Sequence, residues 1–358
     1  MKNKIVPKPV IKRSPSQQLG LLVEQVRELI YTARKSAVIA INSLQVITSY
    51  KIGEMIVEHE QKGARRAGYG KLILKTLSDR LTAEFGGGFS KRNLEYMRRF
   101  FMVYRDRSAL ITQMPSAQLT AAFPLSWSQY IFLISIRNKD ERRFYELEAA
   151  QNSWTLPELR RQFDSSLYER LALSRDKKAI RKLAHEGQVV TDPQDLLKEP
   201  YVLEFLGLDE KTKYSETDLE SAIIDKLEHF LLELGKGFLF EARQKRFTFD
   251  EDHFFVDLVF YNRLLRCYVL IDLKIGKITH QDLGQMQMYV NYFDRYVKQA
   301  AEQPTIGIIL CKKKRNALVE LTLPKDAGIH AREYQLYLPS KEDLKQRLME
   351  WAREEEEE

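Results

Sequence analysis

Phe254-Phe255-Val256-Asp257-Leu258-Val259-Phe260-Tyr261 and Cys267-Tyr268-Val269-Leu270-Ile271-Asp272-Leu273-Lys274 are the two runs whose reading decides the fold. Both are rich in β-branched and aromatic residues, which predicts strands. Between them, Asn262-Arg263 forms a short polar turn ahead of Leu264-Leu265-Arg266. A hairpin centred between Leu264 and Leu265 sets Asp257 directly opposite Asp272. Directly opposed residues have Cβ atoms about 5 Å apart, so the two carboxylates share one face. Lys274 projects on the same face, one pleat beyond Asp272. Two carboxylates and a lysine on one sheet face are costly to bury without a ligand. They have the chemistry of a divalent-metal site with a lysine beside an attacking water.

The elements on either side build a domain around this hairpin. Upstream, Thr217 to Leu234 reads as one amphipathic helix with Leu219, Ile223, Leu227, Phe230, Leu231 and Leu234 on one side, stopped by Gly235 and Gly237. Phe238 to Phe247 is then a first strand. After the hairpin, Gly276 is expected to end the second acidic strand. Thr279 to Phe293 has helical spacing, with Thr279 as N-cap and Asp282 three residues on. Gln285 and Tyr289 lie four apart and share a helix face. The alternative makes Tyr289 a core or rim aromatic. Pro304 to Cys311 is a continuous apolar run, the pattern of a buried strand.

This constellation resembles the PD-(D/E)XK nuclease superfamily, the fold of many restriction endonucleases. The order helix, three strands, helix, strand matches the superfamily core, and Asp257 with Asp272-Leu273-Lys274 matches its signature. Val256 stands where a proline is usual, and the second acid is Asp rather than the more frequent Glu. Gln285 and Tyr289 match the QxxxY motif of RecB-like members, where these residues line the nucleic-acid side. The resemblance implies Mg²⁺ or Mn²⁺ held by Asp257, Asp272 and the backbone carbonyl of Leu273. Lys274 would orient the water or stabilise developing charge. It also implies a further acid from the first core helix. Glu220 is the choice and Glu228 stands behind it, though either reads equally as a solvated helix-face acid. Gln244, on the first strand, is expected to point into the same cleft, with Glu241 a weaker candidate.

A longer likeness covers most of the chain, from about Leu21 to Tyr337. Phe230 to Phe238, Asp257 to Tyr261, Pro304 to Cys311, and Tyr69-Gly70-Lys71 through Gly88 to Leu94 look like the bacterial YhcG-type family, known as domain of unknown function 1016. That resemblance implies an α-helical N-terminal domain followed by an α/β restriction-endonuclease-like domain with a mixed central sheet. The expected organisation is a flexible basic arm at 1–15, a helical domain at 16–172, a charged connector at 173–214 and a nuclease domain at 215–340. A C-terminal helix and acidic tail follow at 341–358.

The N-terminal half carries the charge. The net charge is +7. Glu60 to Arg107 holds 12 Lys/Arg against 5 Asp/Glu, a difference of 12 − 5 = +7. One stretch therefore equals the net charge of the whole, which favours a polyanion partner, DNA above all. The bland reading is a solvated basic surface. Leu21 to His59 reads as helix, interrupted at most near Asn42-Ser43, and Gly63 to Gly70 as a turn. Leu72 to Phe85 is a second helix, ended by Gly86-Gly87-Gly88. Ser90 then caps Lys91 to Tyr104. There Leu94, Met97, Phe101 and Tyr104 form an apolar stripe, while Lys91, Arg92, Arg98 and Arg99 form a basic face. Turn, cap and basic face suggest a helix-turn-helix-like nucleic-acid reader, and the alternative is an ordinary surface helix. Arg105 to Phe123 reads as a loop. Thr155-Leu156-Pro157-Glu158 opens a helix running towards Leu171.

Other classes find no support. No apolar run approaches a membrane span, and Met1 to Ile5 does not open a secretory signal. Cys267 and Cys311 fall in predicted core strands, which reads as buried thiols of a cytoplasmic protein. There is no GxxxxGK[ST] loop, HExxH motif, paired CxxC or GxSxG elbow, and His253, next to Asp252, is expected in the turn before the second strand. Two rival readings remain: a nucleic-acid-binding module that does not cut, and an adaptor or homo-oligomer built on the N-terminal helices.

Overall fold

Glycine and proline punctuation divides the N-terminal helices. The computed structural model describes the chain except residues 1–14, 63–66, 108–121, 175–176, 209–212, 250, 325–326 and 349–358. The expected basic arm therefore lies almost wholly outside the described residues. Pro15 opens α1 (Pro15–Lys62), where its missing N–H is no loss. This helix is 48 residues long, about 72 Å, and runs unbroken through Asn42-Ser43, where Ser43 is buried. α2 (Ala67–Phe85) starts inside the segment expected to be a turn. After the glycine turn, Ser90 Oγ accepts from Asn93 N at 3.3 Å and caps α3 (Lys91–Val103). A Cβ on Gly53 would stand 2.1 Å from the Met97 carbonyl oxygen, so only glycine lets α1 and α3 approach this closely. Tyr50, Phe100, Phe123 and Tyr130 interlock beside α4 (Trp127–Leu133). Arg105–Arg107 forms one 3₁₀ turn in the expected loop; 108–121 is outside the described residues.

Residues 1–135 and 136–358 form two compact units. The division falls ahead of the expected boundary at 172, because the following helices pack into the second unit. These are α5 (Lys139–Gln151), α6 (Leu156–Asp164), α7 (Leu167–Leu173) and α8 (Lys177–Glu186). Thr155 and Glu158 make the expected capping box. The helix it opens breaks at Ser165-Ser166, where Ser166 is left-handed at φ 55°. The break aims Arg170 into the interior. Its guanidinium grips the Glu233 carboxylate through both nitrogens, and both residues are fully buried. α8 lies in the N-terminal part of the expected charged connector at 173–214. Lys236 Nζ closes the same region by donating to Glu148 at 2.8 Å and to the Gln188 carbonyl at 2.7 Å.

The sheet has six strands: β1 (Tyr201–Val202), β2 (Phe238–Phe249), β3 (Asp252–Asn262), β4 (Cys267–Lys277), β5 (Ile306–Lys313) and β6 (Ile329–Gln335). Their spatial order is β1-β6-β5-β4-β3-β2. β2, β3 and β4 pair antiparallel; β4, β5, β6 and β1 pair parallel, so the sheet is mixed. β1 lies in the expected connector at 173–214. The expected single helix is two, α9 (Glu216–Asp225) and α10 (Leu227–Leu234), broken at Lys226 and stopped at Gly235. β4 runs past Gly276 because Lys277 still pairs with Lys313 after a bulge. His253 lies in β3 rather than in a turn, beside Arg246 and Thr248. One sheet face buries Leu258, Ile271 and Ile308 with Leu219, Ile223 and Phe230 of α9 and α10. The other packs Leu270 and Ile309 against Leu283, Met286 and Val290 of α11 (His280–Tyr292). Cys267 and Cys311 are buried free thiols. No described helix is long and apolar enough to cross a membrane.

Candidate active site on the central hairpin

The β3–β4 register pairs Leu258 with Ile271 and Asn262 with Cys267. Asp257 and Asp272 are the next residues beyond the first of these pairs on β3 and β4. Asp257 is half-buried, and Asp272 is 2% exposed. Asp257 Oδ2 accepts from the Leu273 amide at 2.9 Å, which locks its carboxylate against the neighbouring strand. Leu273 thus enters the site through its backbone, while its side chain lies in the core. Lys274 Nζ sits 2.8 Å from Asp272 Oδ2 and 3.7 Å from Glu216 Oε2. The buried Asp272 Oδ2 is thus held by an ion pair with Lys274.

The electrostatics follow from this crowding. Burial, then the Asp257 charge, pushes the Asp272 carboxyl up to about 7 against the pull of Lys274. Asp257 is also raised, by burial, although the Leu273 amide and Lys274 oppose the shift. Burial disfavours the Lys274 ammonium, but Asp272 and Glu216 more than reverse this and hold it firmly charged. Among the described residues, no group of three His, Cys, Asp or Glu side chains is gathered as a metal cage. Two hard carboxylates that resist joint ionisation, one of them buried and paired with a single lysine, fit a divalent cation that retains water ligands.

A second row of residues supports Asp257. Gln244 Nε2 donates to Asp257 Oδ1 at 3.1 Å and to Glu220 Oε2 at 2.5 Å. Glu220 is 3% exposed and also accepts from Arg243. The helix acid and the strand amide are therefore brought together with the hairpin. Gln244 is left-handed, at φ 46°. A non-glycine residue there carries strain on the order of 1 kcal/mol. Nearby, the β2–β3 register skips Glu241. Glu241 itself pairs with Lys245, and Glu228 is exposed on α10, beside the Lys236 pocket rather than the hairpin. Gln285 donates to the Tyr289 hydroxyl, which donates to the Phe255 carbonyl at 2.8 Å. Tyr289 is 1% exposed and packs edge-on against Phe247, so its ring braces β3 from within and is not free to stack on a substrate.

Three features escaped the sequence reading. Glu216, in the first turn of α9, lies beside Lys274 and accepts from the Ile275 amide; its only signal is the Ser215–Asp218 capping box that places it. Arg243 pairs with Glu220. An aromatic wall forms between β2 and the end of α11: Phe247 stacks on Tyr292 at 4.0 Å, and Phe249 and Tyr296 are exposed beside Arg295 around a groove of about 340 Å³. In the N-terminal unit, Lys91, Arg92 and Arg99 are exposed, with Arg92 donating to the Tyr96 hydroxyl. Arg98 differs from the expected free cation: it is half-buried and paired with Glu60 at 2.7 Å.

An acidic strand pair, a DxK strand and a flanking-helix acid on a mixed sheet define the class: a PD-(D/E)XK nuclease domain of the restriction-endonuclease-like fold. Residues 194–349 match the family model described as the YhcG PDDEXK nuclease domain, and residues 25–170 match the DUF1016 N-terminal domain. The chain is 38% identical over 346 residues to "Putative nuclease YhcG" of Escherichia coli (strain K12), covering 90% of this chain and 91% of that one. It belongs to the YhcG family. Among solved structures, a repair endonuclease from Pyrococcus abyssi aligns at TM-score 0.23 and 17% identity, over 37% of this chain and 50% of that chain. An EndoMS–dsDNA complex aligns at TM-score 0.25 and 16% identity, over 37% and 51%.

Proposed function

We propose that this chain hydrolyses phosphodiester bonds in DNA with Mg²⁺ or Mn²⁺, in the cytoplasm. The observation that supports this reading is that Asp257 accepts from the Leu273 amide, next to Asp272, and Lys274 Nζ lies 2.8 Å from Asp272. Asp257 and Asp272 would hold the cation, with the Leu273 carbonyl as a third donor. The bound cation would polarise the phosphate and lower the pKa of a water. The Lys274 ammonium, kept charged by Asp272 and Glu216, would stabilise negative charge developing beside that water. Gln244 and Glu220 would fix the Asp257 rotamer, and Gln285 with Tyr289 would hold β3 in register. The exposed Phe249 and Tyr296 beside Arg295 suit bases and phosphates of the substrate. In the helical unit, Lys91, Arg92 and Arg99 would contact phosphates, with Arg98 joining only if it leaves Glu60.

The test is cleavage and binding measured on the same preparations. Linear, circular, single-stranded and branched DNA would be incubated with Mg²⁺, Mn²⁺ or EDTA. Cutting that needs the cation and vanishes in Asp272→Ala is the expected result. Binding without cutting by the native protein would favour the non-cleaving module, and absence of both would favour an adaptor.

A further inference from the structure

The N-terminal part of α1 carries an apolar seam that no described element covers. Val23, Ile30, Ala37 and Leu44 recur every seven residues. Leu19, Val26, Ala33 and Ala40 recur between them at the complementary spacing. Together they make an alternating four–three repeat in which every position is apolar. Such a repeat is the signature of helices that wrap around each other, with the first set at the a positions and the second at d. The same helix shows what a covered seam looks like: beyond Leu44, its buried residues Val46, Tyr50 and Val57 pack in the helical core. In the seam, by contrast, Val26 is 46% exposed and Leu19 62% exposed, and the flanking Leu29 reaches 70%. The apolar strip from Leu19 to Leu44 extends about 38 Å along the helix. A soluble monomer rarely presents apolar surface beyond a few hundred Å² in one patch.

We propose that this seam is covered by the same seam of a second copy of the chain, in a parallel two-stranded coiled coil. Three observations select that occupant. The repeat is complementary to itself, so no other sequence is needed to fill it. β-branched Val23 and Ile30 at consecutive a positions, with leucine at the d position Leu19 and small alanines at Ala33 and Ala40, suit a close pair of helices. The flanks set the direction: Leu22 and Leu29 lie at g, and Arg27 and Arg34 at e. In a parallel pair each leucine meets the aliphatic stem of an arginine across the seam, whose charged end can reach water. An antiparallel pair would face arginine with arginine. The undescribed segment 108–121 is too short to replace a second copy, since about 14 residues in helical form span about 21 Å.

The experiment uses the full chain. Light scattering after size exclusion, over about 1–50 μM, should give about 84 kDa, twice the 42.0 kDa chain. Val26→Asp combined with Ile30→Asp should return it to about 42 kDa with an unchanged helical circular-dichroism spectrum. Ile30→Leu should leave the dimer intact. Val26→Cys, at a d layer, should form an interchain disulfide on mild oxidation, whereas the native Cys267 and Cys311 are buried and should not. A native protein that stays at 42 kDa across the range overturns the proposal. So does a dimer that survives the double aspartate substitution, or a Val26→Cys chain that does not cross-link.

Discussion

At the scale of single residues, Asp272 carries the most consequential electrostatics. Its carboxyl is held near 7 in the folded protein by burial and by Asp257, and would return to the ordinary carboxylate range, about 3.9, on unfolding. The folded state therefore binds a proton that the unfolded chain has already released. Folding is favoured fully below about 4, and that advantage is lost as pH rises through 7. Asp272→Asn cannot ionise, so in EDTA it should melt higher than the native protein at pH 8. The expected gain is about 2–4 °C per kcal/mol relieved, shrinking towards pH 5. Calorimetry at the two pH values checks this, and an equal gain at both would place the cause elsewhere. The same variant should lose cleavage, because its amide is a poor ligand for a hard cation. Lys274→Ala should differ in kind: metal affinity largely kept, and turnover down by about 10²–10⁴-fold. Parallel titration calorimetry and cleavage rates separate the two roles.

Between neighbouring elements, Gln244 joins β2, β3 and α9 by reaching both Asp257 and Glu220. Gln244→Gly would remove both contacts and relieve the left-handed strain. It should melt no lower than the native protein yet cut about 10–100-fold more slowly, the usual effect of losing a group that orients a ligand. A large fall in melting temperature would mean that Gln244 is structural instead. Gly53→Ala tests another junction. Its methyl would collide with the Met97 carbonyl, and overpacking of this kind costs about 1–3 kcal/mol, readable by urea denaturation. What the sequence disclosed at this scale follows the physics. The hairpin register was legible because strand alternation and a short turn leave few options for Asp257 and Asp272. The Thr155, Ser90 and Thr279 caps were legible because their signals are local. The breaks at Lys226 and Ser165-Ser166 were not, since no glycine or proline marks them and tertiary contacts such as Arg170 with Glu233 decide them. β1 has two residues and takes its identity from β6, more than a hundred positions away. The aromatic wall likewise exists only once Phe247 meets Tyr292.

For the molecule as a whole, the nuclease sheet is braced by helices that precede the family-matched segment 194–349. Glu233 is fully buried, and burial alone would push its carboxyl up. The charges of Arg170, Lys198 and Arg161 outweigh that and hold it down at about 2. Its folded value lies below its unfolded one, so this contribution is present above the ordinary carboxylate range and lost as pH falls from about 4.5 towards 2. Glu233 also accepts from the Val202 amide at 2.9 Å, tying β1 to α10. Arg161 and Arg170 come from α6 and α7, and Glu148, a partner of Lys236, comes from α5. A fragment starting at Ile136 keeps all of these. One starting at Gln194 keeps Glu233 with Lys198 and Val202 but strips Arg161 and Arg170 from Glu233 and Glu148 from Lys236, and breaking a buried pair from one side costs about 3–5 kcal/mol. That is a large share of the 5–15 kcal/mol that holds a typical domain folded. The 136–358 fragment should therefore unfold in one cooperative urea transition at pH 7. The 194–358 fragment should show a transition shifted to much lower urea or none. If both unfold at the same midpoint, helices α5 to α8 are ornaments on a nuclease domain that stands without them, and the Arg170–Glu233 pair does not set its stability.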